Sequence, residues 1–193
     1  MIKTRADLWA YIQADGRSQE VRSLARACLL NPVFRFTVLL RINEYLINTE
    51  RGLLTRAFPL LMFRRLSVRL GFSVAPNVFD AGLAIVHYGL LVVNPAARVG
   101  KNCRVHAGVN IGGSAGFVEA GDTERRAPSI GDDCYIGPGA KIFGGVVIGN
   151  SCVIGANAVV NKSFESDGVT IAGIPAKIVS HSSSVGKVRR GAP

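Results

Sequence analysis

The stretch PSIGDDCYIGPGAKIFGGVVIGNSCVIGANAVV, residues 128–160, sets an aliphatic residue at every sixth position: Ile130, Ile136, Ile142, Ile148, Ile154 and Val160. The same step upstream gives Val93, Val99, Val105 and Ile111. The residue after the aliphatic one is usually glycine, as at Gly100, Gly112, Gly131, Gly137, Gly149 and Gly155. The fifth residue of each hexad is small or slender: Cys103, Val109, Ala115, Cys134, Ala140, Val146, Cys152 and Ala158. A repeat this short implies a solenoid of short flat strands. Each face offers one aliphatic side chain inward, a glycine where the chain turns and a small residue where space is tight. Three faces make one triangular coil, and coils stack at roughly 4.8 Å. Residues 18 apart, such as Ile130 and Ile148 or Cys134 and Cys152, then share one buried column. The frame breaks once, at FVEAGDTERRAPS, residues 117–129. Insertions of this length are extruded as loops and commonly cover a site.

The 193-residue chain divides on this basis into a helical N-terminal region (1–70), the repeat region (71–180) and a short basic tail (181–193) expected to be mobile. NPVFRFTVLLRINEYLIN and LLTRAFPLLMFRRLSVRLGF read as helices, with Pro32 and Pro59 near their starts and Gly71 at the end. The net charge is +10. Residues 1–70 hold 12 Lys/Arg against 5 Asp/Glu, whereas residues 71–176 hold 7 against 8. The excess therefore belongs to the ends. The second helix reads either as a packing helix that caps the coil or as a basic amphipathic helix on a membrane surface. A basic balance at the ends is no mapped groove, so nucleic acid is not expected as a partner. The start of the chain lacks a secretory pattern, no run reaches about 18 apolar residues, and the four cysteines lack zinc spacing. These features point to a cytoplasmic protein, with peripheral contact at the inner face of the membrane as an option.

Continuing the six-residue step back from Val93 reaches His87 in AIVHYGLLVVN, residues 84–94. Histidine thus takes a slot where valine or isoleucine is expected, and alone it would read as a buried core residue. His106 follows 19 positions later, one coil plus one residue. On stacked rungs the two are diagonal neighbours about 5–7 Å apart. The insertion leaves the next rung, after Ile111-Gly112-Gly113. A histidine in such a cleft suits general base catalysis, which contributes about 10²–10⁴-fold. His87 and His106 are therefore the catalytic candidates. His181, the third histidine, lies in the tail and is expected to be inert.

HYGLLVVNPAARVGKNCRVHAGVNIGG, the repeat from Pro128 and IAGIPAKIV together resemble the serine acetyltransferase branch of the hexapeptide acyltransferases, over residues 71–180. The resemblance implies a mainly β fold, a left-handed parallel β-helix behind an α-helical N-terminal region. It also implies acetyl-CoA as donor, no metal, and a homotrimer with the pantetheine arm between adjacent subunits. In that branch a histidine 24 residues before the [LI]-G-G accepts the hydroxyl proton, a role that falls to His87. Gly112 and Gly113 would stabilise the oxyanion. Ala140 and Ala158 would line the pantetheine groove, and Lys141, Lys162 and Lys177 would meet CoA phosphates. Asp80, Tyr88, Arg125 and Arg126 are the candidates for the acceptor side, with Asp80 a possible acidic partner of His87.

Three positions depart from that branch. Val86 stands where it has aspartate, Ser73 where it has an orienting acid, and Ala127 where it has a loop histidine. The pattern is closer to capsule and exopolysaccharide O-acetyltransferases, so the expected acceptor is a sugar or polysaccharide hydroxyl. Serine O-acetylation for cysteine synthesis and a non-catalytic scaffold are the alternatives, the scaffold requiring His87 to be buried. A metal-dependent hydratase on the same fold would need three histidine ligands, and the repeat holds two.

Overall fold

The computed structural model describes residues 1–113 and 127–183. Four helices open the chain: α1 (Arg5–Ser18), α2 (Leu24–Leu30), α3 (Pro32–Asn48) and α4 (Leu53–Leu70). Local chemistry sets their ends. Thr4 and Asp7 form a capping box at α1. Ser23 caps α2, and Asn31 Oδ1 accepts from Val33 N and Phe34 N at the start of α3. Gly71, at φ 76°, stops α4 in the left-handed conformation. The expectation that Pro59 lies near a helix start is corrected: it is the seventh residue of α4. Proline there removes the N–H that would bond to the Thr55 carbonyl, and Thr55 is exposed to solvent.

Among the described residues, fourteen short strands follow, in three sheets. One sheet holds β1 (Phe72–Ser73), β3 (Leu91–Val93), β6 (Asn110–Gly112), β9 (Lys141–Phe143) and β12 (Val159–Val160). A second holds β4 (Arg98–Val99), β7 (Ser129–Ile130) and β10 (Val147–Ile148). The third runs β2 (Ala84–Ile85), β5 (Arg104–Val105), β8 (Tyr135–Ile136), β11 (Val153–Ile154), β13 (Thr170–Gly173) and β14 (Ala176–Ser180). Every pairing is parallel except β13 with β14, which folds back antiparallel at the end of the coil. The chain visits the three sheets in turn, as a triangular solenoid requires.

The six-residue frame defines the core. All ten in-phase residues from Val93 to Val160 are buried. Val99 pairs with Ile130, 31 positions on, which is one coil plus the thirteen inserted residues. Register therefore resumes as though the insertion were absent. The role of the repeat glycines needs correction. None of Gly100, Gly131 and Gly149 has a positive φ. A Cβ on each would instead lie 2.2–2.6 Å from a carboxylate or amide oxygen of Asp132, Asn150 or Asp167 on the next coil. Those oxygens accept backbone N–H groups along the corner: Lys101 N to Asp132, Asp132 N to Asn150 and Asn150 N to Asp167. Close approach, rather than turning, requires glycine here.

The helices join the coil through both apolar and polar contacts. Phe36 of α3 lies 5.1 Å from the Phe63 ring of α4 and 4.9 Å from the Phe72 ring of β1, centroid to centroid. Arg41 of α3, fully buried, bonds Asp15 of α1, Glu44, and the carbonyls of Phe79 and Asp80 in the first coil. Burial opposes its charge, but Asp15 and Glu44 outweigh that and hold the guanidinium pKa above its ordinary value. Asp15 also accepts from Gly82 N and Leu83 N, at 2.9 and 2.8 Å. These polar contacts fix the orientation of the helices on the coil, because each charge has a partner only in this arrangement.

Candidate active site

His87 does not occupy the aliphatic slot. Ile85 fills it, pairing with Val105 twenty positions later rather than eighteen. The six-residue step fails here because the corner before β3 carries two extra residues. Val86 N bonds Val105 O and Gly108 N bonds Leu90 O, so His87-Tyr88-Gly89 stand opposite the single residue Ala107. The excess pushes His87 and Tyr88 outward. His87 is exposed, and Tyr88 is 71% exposed. Gly89, at φ 132°, allows the bulge, and its N–H bonds Leu70 O at the end of α4.

The two histidines do come together. Their ring centroids lie 6.2 Å apart, edge to face at 63°. The Tyr135 ring lies 5.0 Å from that of His106. His106 is half-buried, and its Nε2 is inaccessible without a hydrogen-bond partner among the described residues. Desolvation, reinforced by His87 and Arg104, lowers its pKa. These influences favour the neutral imidazole of His106 over its charged form. His87 makes no side-chain hydrogen bond with the described residues, which leaves both ring nitrogens available. The arrangement is an exposed imidazole on an outward bulge, with the half-buried His106 ring beside it and the Tyr135 ring next to that.

Other expected site residues fall elsewhere. Asp80 is no partner of His87: its carboxylate accepts from Tyr11 Oη at 2.5 Å and from Ala81 N at 2.8 Å. Burial works against its charge, yet these two bonds leave its pKa lowered. Ala140 and Ala158 are fully buried, so their side chains face the interior of the coil and cannot line a surface groove. Lys141 Nζ donates to Gly108 O at 2.6 Å and is taken up by the backbone. Lys162 lies 5.5 Å from the centre of the Phe164 ring with its ammonium exposed, and Lys177 is exposed on β14. Gly112 and Gly113 are half-buried, and the Phe143 ring covers Gly112 closely enough that a Cβ there would lie 2.7 Å from Cδ1. Ala127 packs on the core. Arg125, Arg126 and most of the expected loop 117–129 lie outside the described residues, as does the tail beyond Ser183.

Two residues of this corner escape a reading by aliphatic period alone. Tyr135 and Arg104 pair on adjacent strands, each one position before the aliphatic residue. Arg104 Nη2 donates to Glu20 at 3.2 Å, while its Nε is buried without a partner among the described residues. Their shared phase, 31 positions apart, was the available signal.

The surroundings have close relatives in architecture. Residues 127–162 match the family described as bacterial transferase hexapeptide (six repeats). The serine acetyltransferase of Buchnera aphidicola is 32% identical over 145 residues, 75% of this chain and 50% of that protein. That of Mycobacterium tuberculosis is 36% identical over 113 residues, 58% of this chain and 47% of that protein. The chain thus spans about half the length of these curated relatives. Among solved structures, a serine acetyltransferase from Brucella abortus in complex with coenzyme A superimposes with a TM-score of 0.71 at 27% identity, covering 93% of this chain and 70% of that one. The soybean serine acetyltransferase apoenzyme gives 0.73 at 29%, covering 90% and 69%. Such coverage takes in the helices as well as the coil. The hexapeptide repeat and these neighbours imply that the coil is left-handed.

Proposed function

We propose that this chain, whose coil is that of the bacterial hexapeptide transferases, moves acetyl from acetyl-CoA to an acceptor hydroxyl with His87 as general base. The observation that carries the reading is the outward His87 bulge, 24 positions before Ile111-Gly112-Gly113, with the His106 ring 6.2 Å away. His87 takes the hydroxyl proton as the oxygen attacks the thioester carbonyl. The tetrahedral intermediate collapses, the C–S bond breaks, and the proton passes from the imidazolium to the departing CoA thiolate. The lowered pKa of His106 favours its uncharged form, which does not oppose the imidazolium that forms on His87. Exposure of His87 argues against a purely structural coil, which would bury it. Exposed Tyr88 and Leu90 flank the base and offer apolar surface to a second copy, in keeping with a homotrimer whose sites lie between subunits. Of the basic candidates, Lys162 and Lys177 are exposed and remain open to CoA phosphates.

The relatives named serine acetyltransferase make L-serine the first acceptor to test. A sugar hydroxyl is the second reading, favoured by one observation: Val86 and Ala127 occupy the places where that branch carries its aspartate and loop histidine. A neutral, apolar setting suits an acceptor without an ammonium group better than it suits serine. The experiment is CoA release from acetyl-CoA by the parent chain and His87→Ala, with L-serine and a panel of polysaccharide and lipid-linked glycan acceptors. Acceptor-dependent release that collapses in the variant supports the transferase, and the acceptor that elicits it decides between the readings. Release unchanged in His87→Ala overturns the assigned base.

A further inference from the structure

Helix α4 leaves one long face without a partner among the described residues. Its inner residues Phe63 and Leu70 are buried against the rest of the chain. Leu54, Phe58, Leu61, Arg65 and Val68 follow the i, i+4, i+7 spacing down the opposite face. Leu54 is 93% exposed, Phe58 72% and Val68 84%. A soluble helix of this length ordinarily turns charged and polar residues outward. Here the outward residues are large and apolar, and the charged ones among them are all arginine. Arg64, Arg65 and Arg69 are exposed, and their side chains form no hydrogen bond or ion pair among the described residues. The eighteen residues of α4 contain no Asp or Glu. No described helix is long and apolar enough to cross a membrane.

We propose that α4 lies flat on an anionic lipid surface. Its apolar residues would enter the headgroup boundary, and Arg64, Arg65 and Arg69 would reach to lipid phosphates. Charge complementarity selects this occupant. A second copy of the chain would set three unpaired arginines on each side of the contact against each other, whereas anionic headgroups neutralise them. Arginine stems can lie along apolar surface while the guanidinium stays at the phosphate level. The end of α4 bonds the His87 bulge through Leu70 O and Gly89 N. A docked helix would thus hold that corner beside the membrane. The inference does not depend on the acetyl-transfer reading.

The test is flotation of the full chain with phosphatidylcholine vesicles, with and without phosphatidylglycerol. The expected result is co-flotation only with the anionic vesicles, lost at about 1 M salt, where the Debye length falls to about 3 Å. Arg64→Gln/Arg65→Gln/Arg69→Gln should weaken partitioning on the order of 100-fold. Leu54→Ser/Phe58→Ser should weaken it with the charge unchanged. Circular dichroism of both variants checks that they fold, as these side chains lie outside the core. Failure of the folded parent chain to float with anionic vesicles overturns the proposal, as does equal flotation of parent and both variants. A parent chain that does not float, together with a drop in sedimentation mass in Leu54→Ser/Phe58→Ser, would give the face to a second copy of this chain instead.

Discussion

Arg41 Nε meets Asp15 Oδ2 at 2.7 Å, with both side chains withdrawn from solvent. The pair links α3 to α1, and through the backbone of residues 79–83 it links both helices to the first coil. Removing Asp15 leaves the buried Arg41 guanidinium with Glu44 and two backbone carbonyls but without its two-pronged carboxylate, and it also releases two N–H groups. Asp15→Ala is expected to cost about 3–5 kcal/mol in urea unfolding. Asp15→Ala/Arg41→Met should cost less than the sum of the two single changes, because the Asp15–Arg41 contact is lost only once, while buried Glu44 loses its cation in both variants that lack Arg41.

His87 should separate activity from stability. Its side chain is exposed and makes no hydrogen bond with the described residues, so His87→Ala is expected to shift stability by no more than about 0.5 kcal/mol. The same change should lower kcat by about 10²–10⁴-fold. Thermal melting and a CoA-release assay measure the two effects on one sample.

His106 predicts a pH dependence with a definite sign. Its folded pKa is lowered, from 6.5, chiefly by desolvation. The unfolded chain therefore binds the proton more readily than the folded one. Stability is expected to fall as pH drops below about 6.5 and through the folded value, and to be unaffected by this group well above it. His106→Gln should flatten that acid limb. An unchanged limb in urea titrations across this range would assign the dependence to other groups.

Gly112 tests the packing beneath the expected oxyanion position. A Cβ there lies 2.7 Å from Phe143 Cδ1, so Gly112→Ala must displace the ring. The expected cost is about 1–3 kcal/mol. Phe143→Ala in the same chain should recover most of that increment, since the obstruction is a side chain rather than backbone. Denaturant unfolding of the two single variants and the double variant measures the coupling.

Much of the coil was legible in the sequence because every inward position obeys one step. Ile130 and Ile148 share a face in the register expected, and the thirteen-residue insertion leaves that register intact. The nearness of His87 and His106 was also expected from rung spacing, although the frame that set His87 in an inward slot does not hold there. The period failed where the coil departs from itself. Two extra residues between Ile85 and Val93 moved His87 from the expected interior slot to an exposed corner, and no local propensity marks such a bulge. The fifth-position alanines look like groove residues in a one-dimensional repeat, yet in three dimensions they point inward.

The sequence by itself determined the repeat, its buried columns and the point of insertion, because each follows from a fixed period. Only the tertiary structure decided how that repeat is used at its edges. It gave Asp80 to Tyr11 and Lys141 to a backbone carbonyl. It drew Asp15 and Arg41 from separate helices onto one corner of the coil, and it left the outer face of α4 uncovered. These outcomes depend on which surfaces meet when distant segments pack, and burial and charge pairing across such contacts carry no period along the chain.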